Sequence, residues 1–200
     1  MIDAVFNVVR EELNDQLVRD SAAPADDGED RVVFPSGEKP EPEFRLGAVT
    51  MLLANVEEEA TLRPPDRFSV RGPDGTGLSV NPPVRLNLFA LFVARHRSYA
   101  QSLRSLSLIV RWFRRRRVLA ADQTTGLPAG IDRLVMDLVT LPFGEQNDVW
   151  SALRSPYMPS VLYRIGVVTF VDEAPGAPPE ISEVERRFEH IRARDTTDAR

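Results

Sequence analysis

The chain has no cysteine, only two histidines (His96 and His190) and a single lysine, Lys39. Without thiols there is no disulfide framework, no cysteine-ligated zinc, no iron–sulfur cluster and no thiol nucleophile. Two imidazoles cannot complete a three-histidine metal site. A phosphate-binding P-loop needs a Gly-rich turn followed by Lys and Ser or Thr. Lys39 is followed by Pro40, which removes that reading. No stretch approaches the ~18 apolar residues of a membrane span. The charged opening, with Asp3, Arg10, Glu11 and Glu12, does not read as a signal peptide. These absences predict a soluble chain made in the cytoplasm, with no membrane partner, cofactor, metal or small-molecule substrate.

What is present fits one domain with appendages. The 200 residues are 42% hydrophobic and 28% charged, with a net charge of −5. A chain of this length buries roughly 70% of the surface its unfolded form exposes, so its core needs no staple. The charge is segregated: residues 1–60 carry −10, residues 61–172 carry +7 and residues 173–200 carry −2. Opposite signs on one chain attract within a fold or between copies. The cations are 24 Arg and one Lys. Arg makes planar, multi-donor contacts with carboxylates and suits protein interfaces, although codon composition can produce the same bias.

Residues 2–19 carry Ile2, Val5, Phe6, Val9, Leu13 and Leu17 at helical spacing, with Asp3, Asn7, Arg10 and Asn14 elsewhere. Residues 20–46 break the pattern with Pro24, Pro35, Pro40, Pro42 and the acidic run Asp26–Asp30; they predict a mobile loop or an arm that orders on a partner. A strand is expected over 47–56, ending at Glu57-Glu58-Glu59. A short hairpin or loop is expected over 66–80, with Phe68/Val70 and Leu78/Val80 flanking Pro73-Asp74-Gly75. The nearly unbroken apolar run 84–93 reads as a central strand buried on both faces. A helix over 97–115 follows, with Tyr99, Leu103, Leu106, Val110 and Phe113 as its inner stripe and Ser98 as N-cap. Gly126, Pro128 and Gly130 precede a strand over 131–141. A short helix over 144–153 carries Val149, Trp150 and Leu153, and a strand over 160–171 comes last. The expected order is α–β–(hairpin)–β–α–β–α–β. It implies an α+β single domain: a mixed or antiparallel sheet of about four strands packed with helices. Residues 1–172 form that domain, and 173–200 a polar C-terminal tail with a possible short helix.

Reactive motifs fare poorly against simpler readings. Gly75-Thr76-Gly77 lacks the helix of a dinucleotide site and reads as a turn. Glu57, Glu58 and Glu59 could offer oxygens to a hard cation. Adjacent strand residues point to opposite faces, however, so a solvated strand end is the simpler reading. Ser160 lacks the Gly-x-Ser-x-Gly elbow and reads as the start of a strand. His96, between Arg95 and Arg97, is expected to face solvent. The run Arg114-Arg115-Arg116-Arg117 has three readings. A solvated helix end, satisfying the negative pole and free carbonyls, ranks first. An acidic protein partner ranks second, and nucleic acid beside Trp112 and Phe113 ranks last.

The segment Asn81-Pro82-Pro83-Val84-Arg85-Leu86-Asn87-Leu88-Phe89-Ala90-Leu91-Phe92 resembles the N-terminal domain of the cap, or tail-terminator, proteins of extracellular contractile injection systems, which are phage-tail-like particles. Ile2–Val5 with Glu12-Leu13-Asn14, and Leu103 to Phe113, resemble that family's helices. Asn147–Leu153 and Tyr157–Arg164 are similar to it as well. The resemblance covers residues 2–171. The acidic 20–46 segment has no clear counterpart in the family, and the sequence after Val171 is short. It implies a non-enzymatic structural protein: a ring, expected to be a hexamer, that ends the inner tube and anchors the last sheath ring distal to the baseplate. Its partners are then other copies of itself, the tube protein and the sheath protein, and its destination an assembled, releasable particle. Trp150, Tyr157 and Tyr163 are expected chiefly to pack the scaffold. Arg114–Arg117 and Glu57–Glu59 are the candidate interface residues. The alternative is a small nucleic-acid-binding or adaptor module using the Arg-rich centre.

Overall fold

The computed structural model describes residues 1–20, 31–36, 41–59, 69–71, 77–79 and 84–170. Helix α1 (Ile2–Asp20) is followed by strands β1 (Val32–Val33), β2 (Ala48–Glu58), β3 (Ser69–Arg71), β4 (Gly77–Ser79) and β5 (Val84–Arg95). Helix α2 (Tyr99–Arg115), strands β6 (Val118–Ala120) and β7 (Arg133–Val139), helix α3 (Phe143–Ala152) and strand β8 (Ser160–Phe170) complete the order. Six strands form one sheet in the order β1-β2-β5-β8-β7-β6, while β3 and β4 pair separately. Among the described residues, only β1 and β2 are parallel; the other neighbours are antiparallel. The sheet is therefore mixed, and the fold is α+β in one domain.

Alternation along β5 builds the two cores. Leu88, Ala90, Phe92 and Ala94 join a core with α1 and α2, while Leu91 and Val93 join one with Phe44 and Trp150. Successive strand side chains point to opposite faces, so a strand clothed on both faces is apolar throughout. On the α1 side, Val5, Phe6, Val9, Leu13 and Leu17 present the stripe expected from their spacing. Phe92, Phe113 and Tyr163 form its aromatic centre, with ring centroids 4.6 to 6.0 Å apart. Each such fully buried side chain stabilises the fold by about 1.5–3 kcal/mol relative to exposure.

The sheet is wider than the four strands expected. The additions, β1 and β6, are two and three residues long, too short for period-2 alternation to register. β1 lies within the 20–46 segment, whose described parts are tied to the fold. Asn14 on α1 accepts from the Arg31 and Val32 amides at 2.8 and 2.7 Å and donates to the Val32 carbonyl at 3.0 Å. Phe44 is 4% exposed in the second core. The expected hairpin pairs Val70 with Leu78; its Pro73-Asp74-Gly75 turn lies outside the described residues, as does the tail.

Helix α2 keeps its predicted end and part of its predicted face: of the expected stripe, Leu106 and Phe113 are buried, Val110 is half-buried, and Tyr99 and Leu103 turn outward. Ser102, Leu106, Ile109, Trp112 and Phe113 are buried, whereas Tyr99 and Leu103 are exposed. Apolar residues occur on more than one side of this helix, and contact with α1 and the sheet selects the side. Ser98 occupies the N-cap position without a side-chain cap bond. Instead, the Ser102 hydroxyl accepts from the His96 amide at 3.2 Å.

Beyond the helices, β2, β5 and β8 continue as a three-stranded tongue. Register shifts between Leu53 and Asn55 on β2, and between Leu86 and Leu88 on β5, mark its base. Such bulges bend a strand and increase its local twist. β2 is buried from Ala48 to Leu52 and exposed from Leu53 to Glu58, on both faces. Among the described residues its outer edge is paired only at Val49 and Thr50, by β1.

Candidate protein interface

The run Arg114–Arg117 closes α2 and leads into β6 at one edge of the sheet. Packing divides it. Arg116 turns out of the helix, donates its amide to the Trp112 carbonyl and reaches back to α1, where its guanidinium meets Glu12 at 2.5 Å. The same side chain donates to the Gln123 carbonyl at 2.6 Å and to Thr124 at 3.3 Å. Arg117 donates twice to Asp137 Oδ1, at 2.9 and 2.5 Å, while Arg164 donates to Oδ2 at 2.8 Å. The Arg164 hydrogen bond, ahead of those from Arg117, holds the Asp137 carboxyl below the usual carboxylate value. Arg114 and Arg115 are exposed and meet no carboxylate among the described residues.

Glu57, Glu58 and Glu59 lie toward the opposite edge of the sheet. Glu57 and Glu58 are exposed on the tongue, where Asn55 donates to Glu57 at 3.2 Å. Glu59 is half-buried and accepts from Asn87 Nδ2 at 2.8 Å. Among the described residues no three His, Asp or Glu side chains converge as metal ligands would. The acidic and basic candidates are thus kept at separate edges of one chain.

Other features were not anticipated. A groove of about 590 Å³ runs along α3, lined by Phe143, Gln146, Trp150, Arg154 and Tyr157 among others. Trp150 is buried, with Phe44 and Tyr157 at 6.0 and 5.6 Å, but Tyr157 is exposed and Phe143 is 91% exposed. Tyr157 thus rims the scaffold, whereas Trp150 and Tyr163 pack it. Burial pushes the Tyr163 hydroxyl up to about 12. His96 is half-buried rather than solvent-facing, and its ring lies 3.0 Å from the Ser105 hydroxyl. Burial first, then the charge of Arg31, lowers its basicity. A neighbouring cation is the opposite of the carboxylate that would orient a catalytic imidazole. Ser160 opens β8, as expected of a strand-starting residue. Among the described residues no helix is long and apolar enough to cross a membrane.

The Pvc16 N-terminal domain family matches residues 4–183. No curated protein sequence matches the chain. Among solved structures, the chain resembles the PVC sheath/tube terminator, in its extended state, of an extracellular contractile injection system. The two are 17% identical with a TM-score of 0.56, over 96% of this chain and 65% of the other. It also aligns with the tube-terminating cap of the anti-feeding prophage, at 14% identity and a TM-score of 0.49, over 94% of this chain and 61% of that one. The chain therefore spans less than two thirds of the length of either structure.

Proposed function

The chain belongs to the Pvc16 N-terminal domain family, and from that membership we propose that it is a non-enzymatic structural part of the cap of a contractile injection particle. In this role it ends the inner tube and anchors the last sheath ring at the end distal to the baseplate. The carrying observation is the family match over residues 4–183, on a chain whose fold resembles a sheath/tube terminator along nearly its whole length. Its partners are further copies in a ring, expected to be a hexamer, together with tube and sheath proteins. It is made in the cytoplasm and leaves as part of the assembled particle. Residues 1–172 supply the cap domain, and 173–200 a polar extension.

Physical chemistry suits the role. Termination requires that one face complement the growing polymer while the opposite face does not repeat it, and a ring forms when a head-to-tail interface closes after a fixed rotation. Of the candidate interface residues, Arg114, Arg115, Glu57 and Glu58 are exposed and open to neighbours. The nucleic-acid alternative loses half its arginine run to Glu12 and Asp137. The test is a producing strain that lacks this chain, with its particles imaged. Irregular tube lengths and detached sheath ends are expected; particles of normal, uniform length would overturn the assignment.

A further inference from the structure

We infer that the outer face of α2 is the seat for the β2 tongue of a second copy of this chain. The inference rests on the ring just proposed and assigns its contact. One face of the exposed half of β2 combines two apolar side chains, Leu53 at 41% and Val56 at 39% exposure, with the carboxylate of Glu58. The exposed side of α2 mirrors that composition. Tyr99 and Leu103 are 68% and 43% exposed, flanked by Arg97 and Arg104. Arg97 and Arg104 meet no carboxylate among the described residues, and α2 contains no acidic residue at all. Arg97, Arg104 and Arg111 recur every seven residues, which places them along one side of the helix and its entry.

The two surfaces cannot meet within one molecule. Glu58 pairs with Leu86 near the start of β5, whereas α2 begins just after Arg95 at its end. Nine strand steps separate those levels, roughly 30 Å. A contact between different patches on successive copies is heterologous, the kind that generates a ring. Apolar pairs at its centre exclude water, and Glu58, on the face of the strand that Leu53 and Val56 share, fixes which copy docks and in what register by meeting Arg97 and Arg104, while Glu57 lies on the other face with Asn55. Arginine forks can also donate to carbonyls on the outer edge of β2, which beyond Thr50 have no strand partner among the described residues.

The absence of native cysteine makes the test clean. Chains carrying both Val56→Cys and Leu103→Cys, expressed in cells that assemble particles, are treated with a short bis-maleimide linker. A ladder of linked copies is expected from the double variant and none from either single variant. Adding Glu58→Arg should cut linkage at least about tenfold, and adding Arg97→Glu and Arg104→Glu as well should restore it. The inference is overturned by no ladder, by linkage of a single variant to itself, by indifference to charge, by failed restoration, or by linkage of the Leu103→Cys site to tube or sheath protein. Failure of the cap role reads differently: a ladder from a chain whose removal leaves particles unchanged keeps this contact and removes the cap. Capped particles without a ladder do the reverse.

Discussion

Arg116 lies 2.5 Å from Glu12, 104 residues away in sequence, and the pair is partly buried with side chains 32% and 22% exposed. It ties the end of α2 to the middle of α1. An exposed ion pair is worth little, but this guanidinium also satisfies the Gln123 carbonyl and Thr124. Arg116→Ala should lower unfolding free energy in urea by about 1–2 kcal/mol. Arg114→Ala and Arg115→Ala should stay within about 0.5 kcal/mol of the parent. Equal effects at all three positions would show that the run acts as one solvated helix end.

Asn14 serves as a strand partner for β1, engaging both its entering amides and the Val32 carbonyl. Asn14→Ala leaves those partly buried groups without their partner and should cost about 1–3 kcal/mol. Amide exchange at Arg31 and Val32 should rise with it. Unchanged protection at both amides would mean that β2 alone holds the strand.

In the folded chain Asp137 titrates below the usual carboxylate value of 3.8, through Arg164 first and then Arg117. Folding therefore favours its ionised form. Its contribution is complete above the unfolded value and is lost as pH falls through the lower folded one. Stability should decline as pH falls from about 5 through the usual carboxylate value and below it. Asp137→Asn should decline less steeply over that interval, as measured by urea midpoints. Parallel pH profiles for the two proteins would contradict the assignment.

Trp150 and Phe143 share one groove but differ in burial, at 4% and 91% exposure. Trp150→Ala should cost about 3–5 kcal/mol, because it opens a void against Phe44. Phe143→Ala should change stability by less than about 0.5 kcal/mol. Thermal or urea unfolding separates the two, and a large loss at Phe143 would place it in the core.

The elements that were legible are those with long, one-sided or two-sided patterns. α1 announces its buried face because Val5, Phe6, Val9, Leu13 and Leu17 recur at helical spacing, and β5 because the run 84–93 is polar only at Arg85 and Asn87. α2 was legible as a helix but not in phase: Tyr99 and Leu103 fit one stripe, Ile109 and Trp112 another. The short strands β1 and β6 carry no pattern, since pairing with longer neighbours creates them. The candidate site was legible as charge, not as availability. Four consecutive arginines look alike along the chain.

Composition and periodicity alone settled the lack of thiol chemistry, the opposed charge of residues 1–60 and 61–172 and the identity of the central strand. Those properties are local, or sums over the chain, and need no partner to be true. Tertiary structure decided which arginines remain open to a neighbour, which side of α2 faces out and where β2 stands exposed. Glu12, Asp137 and the bulges at the base of the tongue do the deciding. Each acts across a separation that no local pattern encodes, because packing brings those groups together only once the sheet has formed.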